Sequence, residues 1–182
     1  MASIITATVA SGLTQSADNS GVLQLASGTG NLVTVPAVTG TAMVSGNMPA
    51  FSAYQTTGTA LSAGTTTKVV FDTESFDTNS NFDTSTSTFT PTVAGYYQVN
   101  ACVFVSSTTS AILTILNASN GASRSGGFTN IASQSQAASM ASAVMYFNGS
   151  TDYVEVQVFS SNALTTLTGP YTHFSASMVR SA

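Results

Sequence analysis

The 182-residue chain carries very few charged side chains. Lysine and arginine together number three and aspartate and glutamate seven, so the formal net charge is −4, while 43% of the residues are hydrophobic. Disordered chains combine low hydrophobicity with high net charge, so this composition is typical of a folded protein. So few basic residues exclude the electrostatic term that dominates nucleic-acid binding, and no apolar run is long enough to span a bilayer. We therefore expect neither nucleic acid nor a membrane as a partner.

Residues 1–47 differ from the rest of the chain because they contain no aromatic residue and cannot build a core of their own. Two short alternating stretches, Val22 to Leu25 and Leu32 to Val35, are separated by glycines. The first residues lack the positive region of a signal peptide, so we expect them in the mature protein. We predict an extended anchoring arm over 1–47 and a folded domain over 48–182. The apolar residues expected to anchor the arm are Ile4, Ile5, Val9, Leu13, Val22, Leu23, Leu25, Leu32, Val33 and Val35.

The stretch FTPTVAGYYQVNACVFV, from Phe89 to Val105, predicts a strand that follows a turn at Pro91 and Gly95. One face of this strand is apolar at period two and consists of Tyr97, Val99, Ala101, Val103 and Val105. The opposite face is mixed and consists of Tyr96, Gln98, Asn100, Cys102 and Phe104. We expect the mixed face to be covered by something polar or by another subunit.

Further short strands are predicted at regular intervals, and turn-rich stretches such as DTNSNFDTSTS, NASNGASRSGG and FNGSTD separate them. No segment has sustained helical periodicity, and Ala132 to Ala143 also suits a loop followed by a strand. The pattern predicts an all-β sandwich or jelly roll. The predicted strands are Lys68 to Asp72, Ala111 to Asn117, Ala141 to Phe147, Asp152 to Phe159 and Tyr171 to Val179.

Residues for chemistry are scarce. His173 is the only histidine and Cys102 the only cysteine, and the sequence contains no G-x-S-x-G nucleophile motif. One cysteine and one histidine do not supply the four ligands of a structural zinc site within one chain. We therefore predict no enzyme, no catalytic residue and no cofactor.

Four acidic residues, Asp72, Glu74, Asp77 and Asp83, form the one acidic concentration of the chain. Loop carboxylates bind calcium together with carbonyl oxygens, which makes these residues the metal candidates within one chain. Their spacing does not match an EF-hand, and the stretch lacks the EF-hand glycine. The favoured interpretation is that they are solvated loop residues that keep a nearly neutral surface soluble.

Six stretches of residues 48–182 occur in a characteristic order: PAFSAY, VVFDTESFDTNSNFD, TFTPTVAGYYQVNA, LTILNASNG, GSTDYVEVQV and HFSASMV. In this order and spacing they resemble a C1q-like domain. The resemblance implies the ten-stranded jelly roll that this family shares with tumour necrosis factor, and a homotrimer. It also implies that Phe51, Tyr97 and Phe174 pack in the sandwich core or at the trimer interface, and that the acidic residues resemble calcium ligands of some family members. Around a threefold axis, three copies of His173 would offer a metal site.

The same resemblance leaves several functions open. The chain lacks a collagen stalk, and its arm resembles leader segments of tailed-bacteriophage virion proteins. We therefore expect a homotrimeric capsid decoration or cement protein on the virion surface, bound to the major capsid protein or another virion protein. The alternative is the receptor-binding tip of a head or tail fibre, which recognises a host glycan or protein through loops near Asn79, Ser123–Gly127 and Ser161–Leu164. A third interpretation, a soluble C1q-like lectin or signalling ligand, predicts secretion.

Overall fold

The computed structural model describes residues 23–26, 32–35, 48–106, 109–132 and 135–182. The chain forms two compact units, Met1–Thr41 and Ala42–Ala182. All regular structure in the described ranges is β-strand, and none of their residues forms a helix that could cross a membrane. The first unit contains β1 (Leu23–Ala26) and β2 (Leu32–Val35). The strands of the second unit are β3 (Ala50–Gln55), β4 (Ala60–Leu61), β5 (Thr65–Lys68), β6 (Thr73–Asp77), β7 (Phe82–Asp83), β8 (Thr88–Phe89), β9 (Gly95–Val105), β10 (Thr109–Ala118), β11 (Arg124–Ala132), β12 (Ala137–Phe147), β13 (Val154–Ser160), β14 (Leu164–Thr165) and β15 (Gly169–Ser181).

The first unit contains an antiparallel hairpin. In its register, Leu23 pairs with Val35 and Leu25 with Val33. A two-stranded hairpin is marginal in water by itself. Of the predicted anchoring residues, Ile4, Ile5, Val9, Leu13 and Val22 lie outside the described residues, and the other five lie in this hairpin.

The second unit is a sandwich of two antiparallel sheets. The first sheet has the order β12-β9-β15-β3-β6, and the second has the order β11-β10-β13-β8-β7 with β5 as an additional neighbour of β13. The resemblance implied ten strands, and this additional strand brings the two sheets to eleven. The all-β jelly-roll prediction is confirmed at the level of architecture.

The core is dominated by packed aromatic rings. Phe174 lies 4.9 Å from Phe51, 5.5 Å from Phe71 and 5.9 Å from Phe82 between ring centroids, and all four side chains are buried. The predicted apolar face of β9 is confirmed, because all five of its residues point into this core. Offset and edge-on aromatic pairs add stabilisation beyond their buried area.

Hydrogen bonds between β11 and β12 and between β10 and β12 close one side of the sandwich. Ser139 accepts a hydrogen bond from the Thr114 amide at 2.9 Å, and the Thr114 hydroxyl donates to the Ser139 carbonyl at 3.0 Å. Gly126 allows the close approach, since a Cβ there would lie 1.8 Å from the Met140 carbonyl oxygen. β12 is thereby fixed as the edge of the first sheet.

Several strand predictions differ from the structure. β3 and β6 were not predicted as strands, and Glu74 and Asp77, interpreted as loop residues, lie in β6. The predicted strand Lys68 to Asp72 was wrong except at Lys68, because the observed strand covers Thr65–Lys68. The residues that follow leave the sheet, and the Phe71 amide donates a hydrogen bond to the Ser87 hydroxyl there. β11 was missed because Arg124–Ala132 is rich in glycine and serine, which are poor strand formers. Pairing with β10 holds this segment as a strand although its residues have low strand propensity.

The two ends of the sandwich are distinct. We call the end with Met48 and the C-terminus the base end, because the Ala182 amide donates to the Ala94 carbonyl at 3.1 Å and Thr78 donates to Ala50 at 3.0 Å. We call the opposite end the far end, where Val105 bridges Thr166. Met48, the first described residue of the second unit, therefore lies beside its C-terminus, since the Met178 amide donates to the Pro49 carbonyl at 3.0 Å.

An ion pair lies on the outer surface of the second sheet. Lys68 Nζ is 2.6 Å from Glu155 Oε2, and Gln157 and Asn117 also donate to this carboxylate at 2.6 and 3.0 Å. Burial opposes ionisation of Glu155, but these partners outweigh it and hold its pKa below the ordinary value. The pair ties β5 to β13.

Phe174→Ala should lower the free energy of unfolding by about 3–5 kcal/mol, because it removes the ring that touches three others in the core. Phe128→Ala is the matched control, since Phe128 is 59% exposed and its removal should change the free energy by less than about 1 kcal/mol. Urea unfolding at one fixed protein concentration measures both. Equal losses would contradict this placement of the core.

Lys68→Met should destabilise the protein by about 1–2 kcal/mol at pH 7, discounted for the partial exposure of the lysine, because it leaves a half-buried carboxylate without its cation. The depressed pKa of Glu155 means that its contribution is present above the ordinary glutamate pKa and is lost as the pH falls through the folded-state value. The difference between wild type and variant should therefore shrink below about pH 4. A pH series of unfolding curves measures it, and a difference that stays constant down to pH 3 would argue against the ion pair.

Candidate subunit interface

The first sheet has one face in the core and one face directed away from it. Cross-strand register places Met140, Asn100 and Ser175 among the outward residues, because their neighbours along each strand are buried. We call this surface the outer face. It consists of Met140, Ser142, Val144 and Tyr146 of β12, Tyr96, Gln98, Asn100, Cys102 and Phe104 of β9, Tyr171, His173, Ser175 and Ser177 of β15, and Ser52 and Tyr54 of β3.

Large apolar side chains lie at both ends of the outer face. Near the base end, Tyr96 and Tyr146 pair across strands with ring centroids 5.4 Å apart, and Val144 beside them is 53% exposed. Near the far end, Phe104 and Tyr171 are 5.7 Å apart. Contiguous exposed apolar surface of this kind marks interaction sites in soluble proteins.

The middle of the outer face is polar and contains a hydrogen-bond network between β9 and β12. Gln98 Nε2 donates to Ser142 Oγ at 2.9 Å and to Asn100 Oδ1 at 3.2 Å, and Ser142 donates to Asn100 Oδ1 at 2.7 Å. A polar group that already has partners costs little when it is covered. Part of the cost of covering this surface is therefore already offset by bonds made within one chain.

The outer face is almost without charge. Its rows contain no carboxylate, and Arg180, which pairs with Tyr96 at the base end, is the charged residue nearest to them in register. The Lys68–Glu155 pair lies on the other sheet. An uncharged face can approach an identical copy of itself without like-charge repulsion.

Cys102 and His173 are register neighbours on this face. Cys102 is only 5% exposed, and burial raises the pKa of its thiol. A thiol with a raised pKa is a poor nucleophile, since the thiolate is the reactive form. His173 Nδ1 lies 3.1 Å from the Pro170 carbonyl oxygen, which only accepts hydrogen bonds, so Nδ1 carries the proton. The pair therefore lacks the features of an activated cysteine–histidine couple.

Three of the four candidate calcium ligands accept hydrogen bonds from nearby groups. The two carboxylate oxygens of Asp72 accept the Thr56 and Thr57 amides at 2.7 and 3.0 Å; burial opposes ionisation, but these bonds outweigh it and lower the pKa. Asp77 accepts the Phe82 amide at 2.7 Å, and Asp83 accepts the Ser85 hydroxyl at 2.7 Å. In the ranges that the structure describes, these residues and Glu74 do not form a group of three metal ligands.

The three aromatic residues Phe51, Tyr97 and Phe174 lie inside a single chain, at most 1% exposed. Tyr97 donates to the Val93 carbonyl at 2.7 Å, and burial raises the pKa of its phenol. Their side chains face the core and not the outer face. The exposed aromatic residues of the outer face are Tyr96, Tyr146 and Tyr171, of which the sequence pattern singled out only Tyr96.

The loops assigned to receptor binding lie at opposite ends. Asn79 and Ser123–Gly127 lie near the base end, since Thr78 bonds to Ala50 and Ser123 to Ala118. Ser161–Leu164 lies at the far end, where the Ser161 amide donates to the Ala111 carbonyl. Within one chain they do not form a common surface.

Comparison with known proteins agrees with this architecture. Residues 50–179 match the family model described as C1q domain. The globular domain of zebrafish complement 1qA protein is 17% identical with a TM-score of 0.59, and the match covers 74% of this chain and 98% of that chain. Murine APRIL at pH 5.0 is 11% identical with a TM-score of 0.58, covering 72% and 99%. Eiger TNF from S. frugiperda is 12% identical with a TM-score of 0.52, covering 74% and 93%.

A comparison with curated protein sequences gives no match. The family match spans residues 50–179 of the 182-residue chain, which is well over half of it. Fold, sheet order and family model agree, and this protein belongs to the C1q domain family.

Proposed function

We propose that this protein is a non-enzymatic structural protein of a tailed-phage virion, a homotrimer that decorates or cements the capsid and is anchored by residues 1–47. The observation that carries the proposal is the outer face of the first sheet. It combines exposed apolar ends, a hydrogen-bonded polar middle and an absence of carboxylates. Domains of the C1q and tumour necrosis factor type are commonly trimeric, which supports three copies.

Burial of the outer face is the expected source of trimer stability. In the described residues, most of the large apolar side chains that remain exposed lie on the outer face or on β6 beside it: Phe76, Tyr96, Met140, Val144, Tyr146 and Tyr171. Apolar area removed from water contributes about 25 cal/mol per Å², and interface energy is concentrated in buried aromatic anchors. Around a threefold axis each copy contacts two others, so the ring closes without leaving a free interface.

The base end supports anchoring by the arm. Met48 lies beside the C-terminus, so a trimer would release three arms from one end. Three linked contacts gain attachment through effective concentration even when each contact is weak. The far end would then point away from the shell. The major capsid protein is the proposed partner, and the hairpin residues Leu23, Leu25, Val33 and Val35 are the proposed contact within the described part of the arm.

Val144→Lys should abolish the trimer, because three ammonium groups would be placed in an uncharged apolar contact. Val70→Lys is the matched control, since Val70 is 46% exposed and lies between β5 and β6, outside the strands that carry the outer face. Light scattering coupled to size-exclusion chromatography should give about three times 18.5 kDa for wild type and control, and one subunit mass for Val144→Lys. A Val144→Lys variant that keeps the wild-type mass would contradict the interface.

Deletion of residues 1–47 should leave a trimer that no longer binds the particle, because the sheets that form the interface lie beyond the deletion. Co-sedimentation of full-length and truncated protein with capsids that lack the native copies measures attachment. Cryo-electron microscopy of the particle locates the density. Truncated protein that still binds capsids would refute anchoring by the arm, and density only at a fibre tip would favour receptor binding.

A further inference from the structure

His173 lies in the middle of the outer face, on the central strand of the first sheet. Its register neighbours are Cys102 on β9 and Tyr54 on β3, and Met140 on β12 is opposite Cys102. The residues before and after it, Thr172 and Phe174, are buried in the core. The imidazole is therefore directed to the surface that the proposed trimer covers.

The hydrogen bond of His173 fixes the neutral imidazole in one tautomer. Because Nδ1 donates to the Pro170 carbonyl at 3.1 Å, Nε2 carries the lone pair. A second proton would therefore add to Nε2 and create a cation. Histidine is the side chain that gains this charge between about pH 8 and 5 without a strong perturbation.

The groups around His173 do not compensate a positive charge. The titratable groups that face it in register are the Cys102 thiol, with its raised pKa, and the Tyr54 phenol; β12 contributes the thioether of Met140. Across β3, Thr73 is opposite Tyr54 and its hydroxyl donates to Asp72.

The charged residues closest in the sheet register are engaged or lie outside the outer face. Asp72 already accepts two backbone amides, and Glu74 is opposite the inward residue Ala53 on the edge strand. Arg180, farther along β15, is another cation. A neighbouring subunit that covers His173 with its own outer face contributes the same set of residues. That set contains no carboxylate.

We propose that protonation of His173 opens the trimer, so that assembly is sensitive to pH between about 7.5 and 5.5. The inference rests on the proposed function, because it requires that the outer face is buried between copies. Burial without a counter-charge favours the neutral imidazole, so the trimer is complete above the ordinary histidine pKa and weakens as the pH falls below it. The three copies of His173 act together, so the loss of assembly on protonation multiplies over the three subunits.

The test is sedimentation equilibrium of the full-length protein at pH 7.5 and pH 5.5. Wild type should be trimeric at pH 7.5 and dissociate at pH 5.5, with an assembly constant lower by about ten- to a thousandfold. His173→Gln keeps a neutral polar side chain, and His173→Leu keeps a neutral apolar one; at least one should remain trimeric at both pH values. Because the chain has a single histidine, these variants also control for the other groups that titrate in this range.

Each remaining outcome overturns the inference. A wild-type trimer that persists at pH 5.5 with an unchanged constant would overturn it and leave the proposed trimer standing. Equal acid dissociation of both variants would assign the effect to other groups. If both variants are monomeric at pH 7.5, His173 supports the trimer through packing and not through its protonation state. Wild type that is monomeric at pH 7.5 would overturn the proposed interface as well.

Discussion

The alternation of β9 is the constraint on which the rest of the structure depends. Its inward residues, including Tyr97 and Val99, are buried between the two sheets, and its outward residues other than Cys102, including Tyr96 and Gln98, remain partly or well exposed. A shift of register by one residue would exchange these two faces. Because β9 pairs along its length with both β12 and β15, its orientation also determines which residues of those two strands face the core.

Because of this alternation, the residues that stabilise the fold are different from the residues expected to form the contact between subunits. The aromatic cluster around Phe174 is complete within one chain, so the fold does not need a partner to bury its largest side chains. The outer face contains a different mixture, with aromatic residues near its ends and an amide and hydroxyl network in its middle. Interfaces of this composition resemble general protein surface in polarity and derive their energy from a few aromatic anchors.

Much of this could be predicted from the sequence, because period-two patterns are visible wherever a strand has one apolar face. The inward face of β9 and the strands β10, β12, β13 and β15 followed from such patterns. β11 did not, since Gly126 and Gly127 are placed by close packing against β12 and by pairing with β10, which are long-range effects. The outer face was visible only on β9, since the contribution of Tyr146 and Val144 depends on the register between β9 and β12. The hydrogen bonds that occupy Asp72 and Asp77 depend on loop conformation, which spacing does not encode.

Burial of the outer face between copies is tested most directly by a crystal structure of the assembled protein. We expect a threefold axis with Tyr96, Tyr146 and Val144 covered by neighbouring subunits and Phe128 on the second sheet still in solvent. An assembly in which the outer face is open to solvent, or in which the surface around Phe128 forms the contact, would contradict it.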